Sequence, residues 1–313
     1  MPLRVLITPL ALLIAIVSAW FAYDAHRDPR TFGEKFHYRY ALISTKADQL
    51  TNIIQDGAAA SNFLASFTSQ YLQENERYLN DTNLTDPILI ELLKAFAETH
   101  PEDVMQVRLL DSKGYERIRF DSVGYTRLIQ ITGNSLQDKS SRDYFKTSAS
   151  SAKGLTTTSA IELNVENGIV EDPYRPTVRF TTPIKIKNEY IAHIVLNYDF
   201  RNILRQLATR MPKNANLILA NKDGSWVSAP NYDDSWNKDL GKTNVIGLDR
   251  YAPKLFQDLQ LSQTYEVQSA NIDGKDLLMK KVRAPLTYNA GNSLEEINLD
   301  SRDFYIGVMF PEL

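Results

Sequence analysis

A set of strand-like runs occurs twice in the same order, and this restricts the fold more than any other feature. From Val104 the apolar residues take a period of two. "VMQVRLL-DSKG-YERIRF" is two such runs joined by a glycine-containing turn, which predicts a hairpin. "NLILA-NKDG-SWVSA" repeats it, with Gly224 standing 110 residues after Gly114. Downstream, "RFTTPIKIKNEYIAHIVLNYD" has a proline among apolar residues and then a return strand over 190–198. "KKVRAPL" followed by "RDFYIGVMFP" has the same order, with Pro285 in the place of Pro183 and a longer insertion over 287–302. One hairpin is common, but three matched features in order predict a tandem repeat. Each unit is expected to be α+β: an opening hairpin, a helical and loop region, then two or three more strands of an antiparallel sheet.

Ahead of the repeats lies "VLITPLALLIAIVSAWFAY", Val5 to Tyr23, with no charged residue. As a helix it would extend about 28 Å, close to the roughly 30 Å hydrocarbon core of a bilayer. Trp20, Phe21 and Tyr23 at its end suit a membrane interface. An uncleaved inner-membrane anchor is expected over residues 5–23; the rival is a signal peptide cleaved after "VSA". Either reading exports the bulk of the chain, to the periplasm or extracellular space after about residue 24. The short N-terminal tail is expected to stay cytoplasmic. The segment 31–78 has no proline and only Gly57 in its interior, which predicts one long helix. Phe36, Tyr40, Ile43, Ala47, Leu50 and Ile54 form an a/d seam that softens at Gly57 and Ser61. The seam suits packing along the following domains, pairing with a second copy as a homodimer, or both. A second helix is predicted over 86–98, with Asp86 as N-cap and Pro87 at its first position. The boundaries drawn are 1–30 for the anchor, 31–80 for the stem helix, 81–206 for the first unit and 207–313 for the second.

The formal net charge of −3 argues against a nucleic-acid partner, since phosphate binding needs a basic surface. With no cysteine, thiolate metal sites and cysteine nucleophiles are excluded. The four histidines show no metal-ligand spacing, and the familiar nucleotide-binding and hydrolase motifs are absent. No catalytic constellation, cofactor or metal is expected, and the chain itself is read as no enzyme.

"LQDKSSRDYF", "SAIELNVENGIVEDPYRPTVRFTTPI" and "IVLNYD", in order behind the anchor and long helix, resemble the double Cache family of extracytoplasmic sensor domains. The resemblance covers nearly the whole chain after the anchor. It implies two PAS-like units, a helix spanning both, and a ligand pocket in the first, membrane-distal unit. It also implies a second span leading to a histidine kinase or diguanylate cyclase output. The chain ends at "FPEL", where that span would begin.

Arg142 has a planar fork suited to a carboxylate, and Tyr144 and Phe145 beside it can exclude water. An arginine followed by two aromatics at this spacing clamps the ligand carboxylate in the family's amino-acid-binding branch, which uses tryptophan and tyrosine there. The branch holds the ligand amine with an acid at the end of the last strand of the unit; here that position falls on Asn197 or Asp199. Glu162 is a substitute charge, and Arg179 in "TVRFTT" faces either solvent or the cavity. From residue types alone the stretch also reads as a solvated helix start with Asp138, Lys139 and Asp143 outward and Arg142 paired with Asp138. The "LNVENGIVEDPYRP" loop, with Asn164, Glu166 and Arg175, either covers or braces the pocket. Trp226 and Trp236 are read as packing. The expected function is ligand sensing, by a small anionic or zwitterionic molecule, for a transmembrane receptor. The alternative is a membrane-anchored binding or scaffold protein with a periplasmic partner.

Overall fold

The computed structural model describes residue 18 and residues 32–75, 84–124, 127–150, 155–187, 189–263, 266–284 and 303–311. Apart from Ser18 the apolar run Val5–Tyr23 falls outside them, as do Pro285 and the insertion 287–302. No helix among the described residues is long and apolar enough to cross a membrane.

The stem is α1 (Phe32–Glu74), 43 residues without interruption. Ile43, Ala47, Leu50, Ile54, Ala58, Leu64 and Leu72 are buried along one side, at helical spacing. That side packs on strands of both sheets described below. The seam is therefore occupied within the chain, and from Ile43 onward none of it is left for a second copy. α2 (Pro87–Thr99) starts as expected: Asp86 accepts from the Ile88 N–H at 2.8 Å, and a proline opens the helix. The Tyr71 hydroxyl donates to the same carboxylate at 2.9 Å and ties the two helices together.

β1 (Val104–Asp111) and β2 (Glu116–Val123) form the first hairpin. β3 (Arg127–Ile131), the short helix α3 (Asp143–Ala149), and the two-residue strands β4 (Thr157–Thr158), β5 (Glu162–Leu163), β6 (Val165–Glu166) and β7 (Ile169–Val170) follow. Two long strands, β8 (Pro176–Ile186) and β9 (Glu189–Asp199), complete an antiparallel sheet of order β3-β2-β1-β9-β8-β4, with β5 also on β8. Pro183 lies beyond the part of β8 that β4 covers among the described residues, an edge position of the kind where proline is tolerated.

After α4 (Phe200–Ala208) the pattern returns. β10 (Asn216–Asn221), β11 (Trp226–Ser228), two short helices α5 (Leu248–Tyr251) and α6 (Pro253–Leu261), then β12 (Val267–Ile272), β13 (Lys275–Arg283) and β14 (Asp303–Phe310) give the order β11-β10-β14-β13-β12. The order β2-β1-β9-β8 in the first sheet matches β11-β10-β14-β13 in the second. Both hairpin turns share one hydrogen-bond frame. Gly114 N–H reaches Asp111 O at 3.0 Å, and Gly224 N–H reaches Asn221 O at 2.9 Å. Each glycine has positive φ, 94° and 81°. Each glycine carbonyl then receives the next covering segment, from Lys139 N–H at 2.9 Å and Leu248 N–H at 2.8 Å. Trp226 and Trp236 are buried in the core, as expected.

Candidate ligand site

The first sheet carries α1 and α2 on one face, where Val107, Leu109, Ile118, Phe120, Val178, Phe180 and Leu196 join the core. Alternation then sends the polar members of the same strands to the other face. The register places Arg119, Arg108, Val195 and Thr181 in one row across four strands, and Asp121, Gln106, Asn197 and Arg179 in the next. An antiparallel sheet normally turns such a face to water. Here it is covered. The segment 137–139 pairs with the turn of the first hairpin through Glu116 N–H to Gln137 O (3.0 Å), and α3 and the β6–β7 hairpin lie beside it. Arg108 is 2 % exposed and Arg179 2 %.

The buried charges are matched. Arg108 Nε stands 3.1 Å from Glu116 Oε1, and Arg119 holds Asp121 with two bonds of 2.8 and 2.7 Å. Glu166 lies between Arg108 (3.0 Å), Arg119 (3.3 Å) and Lys139 (3.6 Å). Burial opposes its charge, but Arg108, Arg119 and Lys139 outweigh burial and hold its carboxyl well below the usual range. For Arg119 too burial works against the charge; Asp121, Glu116 and Glu166 prevail and hold it above its usual value. Lys139 is pushed down to about 8, by burial first and then by Arg108. The expected solvated position of Lys139 is thus corrected, because the segment 137–139 folds back onto the hairpin turn. Asp138 and Asp143 are exposed as expected. Asp138 accepts from Ser140 N–H at 2.8 Å, and its expected pair with Arg142 is not among the ion pairs of the described residues.

The arginine-aromatic stretch divides at α3. Arg142 is its N-cap residue, half-buried, with its carbonyl taken by the N–H groups of Phe145 and Lys146 at 3.1 Å each. Tyr144 lies with its ring 5.5 Å from the Arg179 guanidinium carbon. Phe145 turns instead to the sheet, packing on Leu110 and Val195 with its ring 4.8 Å from that of His193. Arg142, Tyr144 and Glu162 line a cavity of about 680 Å³ together with Ser159, Asp223, Lys238 and Asp239. Asp223 to Asp239 come from the second repeat, so the cavity has walls from both sheets. Arg179 lies behind this wall, with Glu162 at 3.3 Å and Asn164 at 3.1 Å. Burial lowers its pKa, with Tyr144 and Glu162 opposing. Asp239 is raised to about 6, by burial first, with the Leu163 N–H bond opposing and Glu162 adding to the rise.

Asn197 sits beside Arg179 on the next strand and donates to Gln106 Oε1 at 2.6 Å. Asp199 stands elsewhere. It caps α4 and accepts from Nε and Nη2 of Arg201, so it is committed to a structural pair and does not line the cavity. Tyr144 Oη at this wall, and Arg179 Nε and Asn197 Oδ1 behind it, are buried with no hydrogen-bond partner among the described residues. Glu166 was placed in the loop read as covering or bracing the pocket, while Gln106, Arg108, Glu116 and Arg119 were not anticipated as site residues. Their alternation with apolar neighbours reads as an ordinary solvated strand face, and only the covering segment makes it interior.

His193 lies on the same face, fully buried between Phe145 and Tyr190. Burial pushes it down to about 4, with Asp111 opposing and Lys185 adding slightly. It is neutral when folded, while the unfolded chain protonates near 6.5. Stability should therefore fall by about 3 kcal/mol as pH drops from 6.5 to 4. Asp239, raised when folded, acts in the opposite sense below pH 6. The two are separated by comparing pH-dependent unfolding of wild type and His193→Leu: the variant should lack this part of the acid slope. Equal slopes would exclude His193 as its source.

The model of the family "bacterial histidine kinase, sensor domain" matches residues 95–272, and this chain belongs to that family. The fold is similar to the domain of a protein assigned to the sensory box/GGDEF family of Vibrio parahaemolyticus, at 16 % identity and TM-score 0.58, covering 83 % of this chain and 97 % of that one. The extracellular domain of a chain assigned as a histidine kinase gives TM-score 0.56 and 16 % identity, covering 84 % and 93 %. The Campylobacter jejuni chemoreceptor Tlp3 ligand-binding domain, in complex with L-norvaline, gives TM-score 0.57 and 8 % identity, covering 88 % and 90 %. No curated protein matches the sequence.

Proposed function

We propose that this sensor domain is the extracytoplasmic input region of a transmembrane receptor, of histidine kinase or diguanylate cyclase type, anchored through residues 5–23. In this reading the first unit, residues 81–206, is membrane-distal and takes a small anionic or zwitterionic ligand in the cavity beside α3. The observation that carries it is the cavity wall formed by Arg142, Tyr144 and Glu162, with the unpartnered Arg179 Nε and Asn197 Oδ1 buried behind it. Buried polar atoms without partners each cost about 1–3 kcal/mol, and native folds keep few of them. A guanidinium, a hydroxyl and a carboxylate on one cavity wall suit a molecule with both an acceptor and a donor. Arg142 would hold its carboxylate, with the Arg179 charge behind the wall; Glu162 would meet its amine or hydroxyl. An amino acid or hydroxy acid has that pattern. Residues from the second sheet close the same cavity, so occupancy would favour one arrangement of the two sheets along α1. A homodimer through the stem would use the side of α1 that stays exposed, where Phe63 and Phe67 stand one turn apart.

The test is thermal unfolding of the full chain with single amino acids, hydroxy acids and C4 dicarboxylates. A true ligand at 100 times its Kd should add about 2.7 kcal/mol to stability. Arg142→Ala, at a half-buried side chain, should keep the fold and lose that gain. No response to any compound would sink the reading.

A further inference from the structure

Glu166 arrives at the buried cluster from an element unlike those around it. Among the described residues β6 and β7 pair only with each other and belong to neither large sheet. Asn167 and Gly168 join them, both at positive φ (52° and 81°), the backbone of a tight two-residue turn. Ile169 in this hairpin is 73 % exposed. From this small outer element one carboxylate points inward and collects five donors. Oε1 accepts from Arg108 Nη2 (3.0 Å), Gln106 Nε2 (3.2 Å) and Asn164 Nδ2 (3.3 Å). Oε2 accepts from Gln137 Nε2 (2.8 Å) and Arg119 Nη1 (3.3 Å). Lys139 Nζ stands 3.6 Å from Oε2. Apart from Asn164, these groups sit on β1, β2 or the segment pinned to their turn.

Charge points the same way. Arg108, Arg119 and Lys139 bring three positive charges. Glu116 and Asp121, bound to these arginines, cancel two. One positive charge remains, and among the described residues Glu166 meets it. The cluster is a carboxylate receptor, complete in its donors, that holds a carboxylate of its own chain.

We propose that Glu166 is a built-in ligand of this receptor: Arg108, Arg119, Lys139, Gln106 and Gln137 form a carboxylate subsite for which a free carboxylate competes with the β6–β7 hairpin. The receptor stands on geometry independent of sensing; only the consequence, a hairpin released as ligand enters, rests on the proposed sensory role. Asn164 links the two places. It donates to Glu166 and also to Glu171 (2.9 Å), while its carbonyl oxygen takes Arg179 at the cavity wall.

Acetate is the probe, because it is the carboxylate that Glu166→Ala removes. The full chain, Glu166→Ala and Glu166→Ala/Arg119→Met are titrated with acetate at constant ionic strength, and binding is followed by calorimetry and thermal shift. Glu166→Ala should bind acetate at least tenfold more tightly than wild type, and the double variant should lose that gain. If Glu166→Ala does not fold, Glu166→Gln, which keeps the shape without the charge, should show the same order. Equal acetate affinity in wild type and variant overturns the proposal, as does a gain that survives Arg119→Met. A gain beside a wild type that answers no amino acid or dicarboxylate would sink the sensory reading and leave the receptor standing. A responsive wild type with no gain would do the reverse.

Discussion

Arg108→Met should lower stability by about 3–5 kcal/mol, because it strands a buried carboxylate. The Glu116 side chain is 0 % exposed, and Arg108 stands 3.1 Å from it. Without that guanidinium, Glu116 keeps Arg119 at 3.5 Å and the Gln137 N–H at 2.9 Å, in a place water does not reach. One effect opposes the loss. Arg108 and Arg119 are direct cross-strand neighbours, and removing a like-charge pair relieves about 0.2–1 kcal/mol. The stranded charge outweighs it several-fold. Thermal unfolding should show a fall on the order of 10 °C. A fall below ~2 °C would show that the cluster is solvated in solution. Adding Glu116→Leu to Arg108→Met should recover more than half of the loss, since an apolar pair of similar volume needs no counter-charge. Lost packing alone would give no such recovery.

Gly57→Ala should destabilise the chain even though alanine is the better helix former. The helix gains about 1 kcal/mol from the exchange. A Cβ at Gly57, however, would lie 2.2, 2.5 and 2.7 Å from three carbons of the Phe180 ring, where real contacts do not fall under 3.0 Å. The ring cannot step aside. Phe180 is 0 % exposed and sits edge-on to Tyr198 at 5.0 Å. The stem helix must lift from the sheet, at an overpacking cost at the upper end of about 1–3 kcal/mol, so the net loss for alanine is about 2 kcal/mol. Gly57→Leu should lose more than alanine does. A double-mutant cycle with Phe180→Leu should recover part of either loss, since the shorter side chain frees the space. A stabilised Gly57→Ala would show that helix and sheet are not in contact there.

Gly57 also shows how far the chain can be read without its fold. The seam softens at Gly57 and Ser61, and periodicity alone offers no reason. In three dimensions Gly57 admits the Phe180 ring, and Ser61 bonds the Thr182 hydroxyl at 2.8 Å. Both are contacts between residues more than 100 positions apart. The stem helix, the Asp86 cap and both hairpins were legible, because each rests on neighbours within a few residues, and the repeated order of strands because the same local patterns recur along the chain. The residues read as a candidate site are spread over different places in the fold. Arg142 and Tyr144 meet Glu162 at the cavity, but Phe145 turns to the sheet, Lys139 is interior, and Asp199 is taken by Arg201.

Local order was thus set by patterns any segment carries by itself: period two, period 3.6, and the glycine and proline that close a turn. Burial of a charge is not a local property. Gln106, Arg108 and Arg119 have the alternation of a wet strand face, and they are dry because a segment some twenty residues later pairs across the hairpin turn and a small hairpin lowers Glu166 among them. Which charges face water and which hold one another depends on what lies above the sheet. That follows from long-range packing, where the cost of desolvating each ion is met by partners distant in sequence.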